Sequence, residues 1–552
     1  MTTLLTLHDP ATARRYYEDG LWRDDTLYSL MAGHAATRAG AFALRDSARR
    51  LTWEEVKGWT DAVADALHEA GIAKGQRISI CLSNRVEAAI VLLACSRNGY
   101  VCNPSLHKNY TGEEILGLLQ AIDAAAVFIE EDYVSDAGHF DLFGPAAELP
   151  AMQRVFRLPP DRTPGDDFPA PGGPGGMSPI DANPDKVTYL AFTSGTTGTP
   201  KGVMHSDNTL LANPRDLVRD WNHGPATVLL TLSPLSHHIA WVAVGQMMVA
   251  GGELVVDDPG PGKDQLDWIV ECGATYVMGV PTHAMDILAE QRARGMDRLG
   301  EVKLFYMAGS PIPPVTAQAF LDQGVMPQNI YGMTENSSHQ YTYPDDDPET
   351  IVHTCGRGGP GYRVRIFDAE NPDVEVAQGE VGQIGGRGAC LMLGYFGNQQ
   401  ATEGSFNRDG WFLSGDLGRL KEDGCLEFVG RLKDIVIRGG HNIHPKKIED
   451  LAVKHEGVER AAAFAVPDER LGEKVCLAIV PAGGAAPEAG AVLDYLHGVG
   501  LSKYDMPEYF LALDEFPLTA SGKILKRVLA DWARDGEIEP APVRFEEPAK
   551  EA

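Results

Sequence analysis

The stretch YLAFTSGTTGTPKG, residues 189–202, runs from an apolar strand pattern into a loop of small, hydroxyl- and glycine-rich residues that ends in a lysine. Glycine lets backbone N–H groups crowd around an anion, and here Gly195 and Gly198 alternate with Thr193, Ser194, Thr196 and Thr197, whose hydroxyls add donors. Lys201 adds charge. This is the chemistry of a phosphate cradle. It is not the GxxxxGK[ST] loop, because Gly202 and neither Ser nor Thr follows the lysine. A plain Gly/Thr turn would account for three or four such residues, and the run here is longer than that.

Outward from this loop, apolar strand-like runs alternate with helical patterns. The segments 77–82 (RISICL), 275–280 and 302–307 each read as a buried strand trailed by a helix-like segment, and 124–129 and 187–192 read as further strands. Such alternation predicts α/β layers with largely parallel sheets. The stretch 159–184 is crowded with proline, glycine and aspartate and reads as a surface loop or linker. From about residue 362 the texture changes to short β segments, YRVRIFD, GQIGGRG and GCLEFVG. After Lys433 follows a small mixed α/β unit, of a size that folds alone. The tail beyond about Gly536 is rich in proline and glutamate and is expected to fray.

Composition narrows the partners. The chain has 552 residues and a formal charge of −29 at pH 7, whose net field repels nucleic acid and anionic membranes alike. Any polyanionic substrate must therefore be held by a local cluster of cations. The most apolar long stretch, about 239–256, is interrupted by Gln246, Gly251, Gly252 and Glu253, too broken for a span of about 20 residues. The N-terminus lacks a basic segment followed by a sustained apolar core. Eight scattered cysteines form no CxxC pair, which disfavours a zinc site or disulfide framework and favours a reducing, cytoplasmic setting. The adjacent His237 and His238, and the pair His441 and His444, invite a metal reading, but neither pair has a third ligand in a recognised spacing.

Further segments share the character of the opening loop: PLSHHIAW (234–241), MAGSPIPP (307–314), YGMTEN (331–336), GWFLSGD (410–416), GRLKDIVIRGGHNI (430–443) and LTASGKILKR (518–527). Together with TSGTTGTPKG (193–202), these resemble, in order, the signature motifs of the adenylate-forming (AMP-binding) superfamily, which includes acyl-CoA synthetases, nonribosomal-peptide adenylation domains and firefly-type luciferases. The resemblance spans most of the chain. It implies an α/β fold: a large N-terminal region, 1–432, of two α/β subdomains plus a β-barrel, hinged to a small mobile C-terminal domain, 433–552. It also implies ATP, Mg²⁺ and coenzyme A as cofactor and co-substrates, a small-molecule carboxylic acid as the other substrate, and a monomer or homodimer without nucleic acid or membrane insertion.

The resemblance assigns roles residue by residue. Thr334 would contact the α-phosphate and Glu335 the Mg²⁺; a hard cation bridging nucleotide oxygens needs few protein ligands. Gly309 and Ser310 would form the adenine-binding turn, with Tyr331 and Gly332 on the other side of the purine. Asp416, in SGD where relatives more often have TGD, would accept from both ribose hydroxyls, and Arg431 would touch ribose and phosphate. Lys523 would offset the charge that builds as a carboxylate attacks the α-phosphorus. Lys433 would be the hinge, since hinge residues absorb backbone rotation without touching substrate. Gly439 and Gly440 would face the pantetheine arm, and His237 would gate the passage between acyl pocket and thiol tunnel. A surface lysine before a terminal helix is ordinarily only solvated, so the weight on Lys523 comes from the SGKILKR match.

The chain departs from the family pattern in HNIHPKKIE, where His441, His444 and Lys447 replace the usual residues around the thiol tunnel. Ser236 stands where many relatives carry an aromatic. The segment YGMTENSSHQYT resembles ligases for cyclic and aromatic acids, cyclohexanecarboxylate–CoA ligase above all. The expected activity is an acid–CoA ligase making acyl-AMP and then acyl-CoA. Medium- or long-chain fatty acids are alternative substrates, and transfer to a separate carrier protein or to O₂ is an alternative second step. A non-catalytic nucleotide sensor would not need Lys523, Glu335 and Asp416 together.

Overall fold

A computed structural model describes residues 5–162, 168–171, 175–193, 200–309, 312–439, 441–518 and 523–545. The chain divides into two compact units, Met1–Arg363 with Arg387–Phe406, and Val364–Gly386 with Asn407–Ala552.

The first unit contains two sheets, parallel through their middles. The larger has eight strands in the order Ser337–Tyr341, Met326–Met333, Leu304–Ala308, Tyr276–Gly279, Val228–Thr231, Glu253–Val256, Phe42–Arg45 and Arg50–Thr52. The smaller has six: Arg154–Leu158, Ala124–Glu130, Arg77–Cys81, Val101–Asn103, Val187–Thr193 and Lys201–Ser206. Strands covered by helices on both faces read as continuous apolar runs, and Arg77–Cys81, Ala124–Glu130, Tyr276–Gly279 and Leu304–Ala308 are buried at every residue.

Each sheet reverses direction at an edge. Val187–Thr193 pairs antiparallel with Lys201–Ser206, and Met326–Met333 pairs antiparallel with Ser337–Tyr341. The two motifs read as phosphate-facing, TSGTTGTPKG and YGMTEN, are the connections of these two edge hairpins.

Two helices pack against one another in the same core, Asp207–Asp220 and His238–Ala250. The first starts at a capping box on Ser206, whose side chain accepts from Thr209 N–H; such a cap stabilises a helix start by roughly 1 kcal/mol. The second is buried almost all round, which explains why HIAWVAVGQMMVA shows no polar stripe. Their approach is close: a Cβ on Gly245 would stand 2.7 Å from Pro214 Cγ. No helix among the described residues is long and apolar enough to cross a membrane.

An open four-stranded sheet, most of whose residues belong to the second unit, runs in the order Tyr362–Phe367, Gly382–Gly388, Phe412–Leu420 and Leu426–Arg431. This corrects the barrel expectation: among the described residues the sheet does not close. A second sheet is built on the long antiparallel pair Val458–Asp468 and Gly472–Pro481, with Val436–Arg438, His441–Ile443 and Tyr509–Ala512 beside it. The helices Pro445–Ala452, Ala489–Gly498 and Lys526–Asp535 belong to this unit. The tail does not fray at Gly536. Ala541–Pro542 pairs with Tyr509–Ala512, Val543 N–H donates to Glu508 O, and the Phe545 ring lies 4.6 Å from that of His497.

Candidate active site

In the first hairpin Thr193 is the last strand residue and lies opposite Lys201, both half-buried. The loop residues Ser194, Gly195, Thr196, Thr197 and Gly198 lie outside the described residues, as do Ser310 and Gly440. Lys201 Nζ sits 4.9 Å over the ring of Tyr395. The Tyr395 hydroxyl in turn donates to Glu335 Oε1 at 2.9 Å. Three side chains from separate segments thus converge, and burial together with the Glu335 charge holds the Tyr395 phenol well above the usual tyrosine range, so it stays a donor.

The second hairpin turns over Thr334, Glu335 and Asn336. Met333 pairs with Ser337, whose φ of +55° is left-handed. Gly332 makes this turn feasible: a Cβ there would stand 1.7 Å from the Ser337 carbonyl oxygen. The turn is tied down through its backbone. Thr334 O is bonded by His205 Nε2 at 2.7 Å, Glu335 O by Met392 N–H at 2.7 Å, and Asn336 O by the Cys390 thiol at 3.2 Å. Buried carbonyls are almost always paired; here the pairing also fixes where the Thr334 and Glu335 side chains project. A carboxylate with a hydroxyl next to it is a hard-oxygen donor set, and it fits a magnesium ion shared with nucleotide oxygens. Gly309 follows the strand Leu304–Ala308, whose Ala308 is in register with Ile330, so Gly309 and Tyr331 continue side by side. Tyr331 is buried, edge-on to His339 at 5.5 Å.

His237 is the residue before the helix His238–Ala250. Its imidazole stacks on that of His107, with centroids 4.3 Å apart and planes 20° apart. His107 Nδ1 bonds Ser236 Oγ at 2.9 Å, and burial lowers the His107 pKa to about 4, which leaves it neutral. His238 turns the other way. It stacks on His205 at 5.5 Å and bonds Ser337 Oγ at 3.0 Å and the Tyr189 hydroxyl at 3.3 Å. Burial, and after it the neighbouring His205, pulls its pKa to about 3.

In the second unit Asp416 and Arg431 face each other across neighbouring strands, with Nε 3.4 Å from Oδ1. Asp416 is buried and its N–H donates to Ser414 Oγ, which itself donates to Ile384 O. The serine that replaces threonine in this motif thus anchors the strand through its hydroxyl. Lys433 lies in the turn Leu432–Asp434; partial burial of its ammonium, and after it the charge of Arg431, lower its pKa. Gly439 has φ of +58° and donates its N–H to Leu471 O. The departures from the family pattern find local partners: His441 Nε2 and Lys447 Nζ both reach Asp505, each at 2.9 Å, and together hold its carboxyl below the usual range against the effect of burial. Lys523 is half-buried, just ahead of the helix Lys526–Asp535.

Sequence reasoning missed Tyr395, His205 and His107. Tyr395 bonds a residue 60 positions away and His205 one 129 positions away, a kind of signal no local motif carries. His205 alone left a trace, a histidine inside the otherwise apolar strand pattern that follows Lys201.

Comparison with known proteins meets this geometry. The AMP-binding enzyme family matches residues 31–396, and the C-terminal domain of AMP-binding enzymes matches 447–523. The chain is 27% identical to the medium-chain fatty-acid–CoA ligase of Escherichia coli (strain K12), covering 96% of this chain and 94% of that one. It is 30% identical to the 2-hydroxy-7-methoxy-5-methyl-1-naphthoate–CoA ligase of Streptomyces carzinostaticus, covering 94% and 95%. Among solved structures, ATP-bound MatB from Rhodopseudomonas palustris superposes with a TM-score of 0.81 at 29% identity, covering 93% of this chain and all of that one. The chain therefore belongs to the AMP-binding enzyme family, as an AMP-forming acid–thiol ligase.

Proposed function

We propose that the chain activates a cyclic or aromatic carboxylic acid with ATP and transfers the acyl group to coenzyme A. The acid's carboxylate oxygen attacks the α-phosphorus; the bond to pyrophosphate breaks and acyl-AMP forms. The thiol sulfur then attacks the acyl carbonyl, AMP leaves, and the thiol proton passes to solvent. Thr193, the 194–198 loop and Lys201 hold the nucleotide phosphates, and Thr334 takes the α-phosphate. Glu335 holds magnesium, which when bound offsets phosphate charge. Gly309, Ser310, Tyr331 and Gly332 take the adenine, and Asp416 and Arg431 the ribose.

Lys523 supplies a positioned ammonium where charge builds during adenylation, the kind of preorganised donor that lowers a barrier most. Lys433, first residue of a mobile domain spanning 433–552, is where the backbone turns between the two half-reactions. Gly439 and Gly440 admit the pantetheine arm, and His237 guards its approach.

The observation that carries the substrate class is the stack of His107 on His237. On this reading the stack holds the His237 ring in a fixed plane, with His107 neutral, and a fixed imidazole plane suits a flat acyl group, since offset stacking of aromatic faces contributes roughly 0.5–1.5 kcal/mol beyond area alone. The naphthoate–CoA ligase relative supports the same reading, whereas the medium-chain ligase relative favours a linear acid. Release of AMP and consumption of coenzyme A, measured with benzoate, cyclohexanecarboxylate, octanoate and malonate, separate these readings. Benzoate is expected to give kcat/KM roughly two- to tenfold above octanoate, one ring-stacking interaction's worth, and cyclohexanecarboxylate to exceed octanoate by shape. A preference for octanoate overturns the substrate class. Acyl-AMP that accumulates while coenzyme A stays untouched overturns the ligase step in favour of a separate carrier.

A further inference from the structure

We propose that Tyr395 and His205 are positioning residues for adenylation, gripping the 334–336 turn from two sides so that Glu335 and Thr334 present fixed oxygens to the metal and the α-phosphate. The proposal rests on the reading of those two residues given above and adds what holds them.

Tyr395 acts on the side chain. Its hydroxyl donates to Glu335 Oε1 at 2.9 Å, which sets the plane of the carboxylate, and its ring lies under Lys201 Nζ at 4.9 Å. Tyr395 is itself fixed: its N–H donates to Thr402 Oγ1 at 2.9 Å, and the residue is buried. A carboxylate that must meet a cation in one orientation loses rotational freedom on binding, and a donor that has already fixed it removes that cost.

His205 acts on the backbone. It is fully buried in the strand Lys201–Ser206, and its Nε2 lies 2.7 Å from Thr334 O. A carbonyl only accepts, so Nε2 carries the proton, and Nδ1 accepts from the Thr209 hydroxyl at 3.1 Å. Burial lowers this imidazole to about 4, so the neutral tautomer is the standing one near pH 7. The grip extends one residue further, because His238, stacked on His205, bonds Ser337 Oγ where the turn closes. A histidine that served packing alone would have no need to aim its N–H at a turn 129 residues away.

Tyr395→Phe deletes the hydroxyl and keeps the ring under Lys201. Mn²⁺ affinity of the enzyme–ATP complex, read by electron paramagnetic resonance, is expected to fall roughly tenfold, the effect of losing one hydrogen bond to a charged group. The Mg²⁺ concentration for half-maximal pyrophosphate release should rise in step. Thioester formation from supplied acyl-AMP should not move, and the thermal midpoint should fall by only a few degrees. Unchanged Mn²⁺ affinity and Mg²⁺ dependence overturn the role of Tyr395.

For His205, Leu removes the donor and Gln retains an N–H. His205→Leu should lower kcat of pyrophosphate release roughly tenfold with little change in KM for the acid, and His205→Gln should restore most of it. Equal losses in both variants, matched by equal drops in thermal midpoint, overturn the role of His205. The Tyr395→Phe arm decides the proposal should His205→Leu not fold. A wild-type enzyme that binds MgATP but releases no pyrophosphate with any acid defeats the reading of the site, and the proposal falls with it.

Discussion

The 334–336 turn and the turn Leu432–Asp434 hold charged residues by opposite means. In the first, all three carbonyls accept from buried or backbone donors, and the Glu335 carboxylate is bonded by a buried phenol. In the second, Lys433 lies at the surface in a single 3₁₀ turn, and the neighbouring Arg431 keeps 41% of its side chain exposed in a long 3.4 Å ion pair. An ion pair whose arginine is that exposed is weakened by solvent screening. The difference teaches what each region is built to do. On the proposed reading, a turn that must present oxygens in one geometry is locked beforehand, whereas residues that must change place between the two half-reactions gain from being loosely held.

The largest effect is expected at Lys523, which on the proposed reading serves adenylation. Lys523→Ala should reduce pyrophosphate release from acid and ATP by roughly 10²–10³-fold, the scale of losing one preorganised charge-stabilising donor. Thioester formation from supplied acyl-AMP should be spared. Equal loss of both half-reactions in rapid-quench assays would break the comparison, because the lysine would then act beyond the one half-reaction assigned to it. Asp416→Asn comes next. Asp416 is the buried, anchored member of the second unit, and replacing its charge should raise KM for ATP roughly 10- to 100-fold, the equivalent of about 1.5–3 kcal/mol for hydrogen bonds to a charged acceptor. An unchanged KM would place the ribose elsewhere and leave Asp416 as a partner of Arg431 alone.

How far these two regions were legible in the sequence follows the same division. Runs such as 77–82 and 302–307 predict buried strands because burial on both faces leaves no polar alternation to confuse them, and the parallel sheets are as expected. Barrel closure was not legible, since it depends on which edges pair, and edge pairing between the short strands after residue 362 is not written in any local pattern. The docking of the tail was hidden for a related reason: proline and glutamate dominate its composition, while two residues, Val543 and Phe545, supply the contacts that hold it. Lys201 stood out in the sequence because glycine, hydroxyl and charge are adjacent there, and Thr334 and Glu335 stood out through the resemblance of YGMTEN to the family motif. Tyr395 and His205 were not, because what makes them notable is a hydrogen bond across the fold.

Acid offers the mildest way to sharpen the comparison. The first unit packs His107, His205, His223 and His283, each lowered to about 4 by burial, and His238 and His339, each lowered to about 3. In the second unit His444 is lowered as well, by burial first, but it lies near the carboxylate of Asp505, which opposes the shift. An unfolded histidine titrates near 6.5. Between pH 6.5 and about 4, therefore, the unfolded chain takes up protons that the folded first unit refuses. The stability these residues give is complete above pH 6.5 and is lost as pH falls through that window. Asp257, which burial raises to about 6, and Asp216, which burial also raises, work the other way over part of the window, but two carboxyls oppose six imidazoles. Hydrogen exchange read by mass spectrometry, corrected for intrinsic rates, should show slow amides of the strands Lys201–Ser206 and Ser337–Tyr341 opening at least about tenfold more at pH 5 than at pH 7.5, one pKa unit's worth of free energy. Those of Val458–Asp468 and Gly472–Pro481 should change less. If both units loosen equally, the neutral histidines are not what sets the first unit's rigidity apart, and the contrast between locked and loose would have to rest on the hydrogen bonds from Met392, Cys390 and Tyr395.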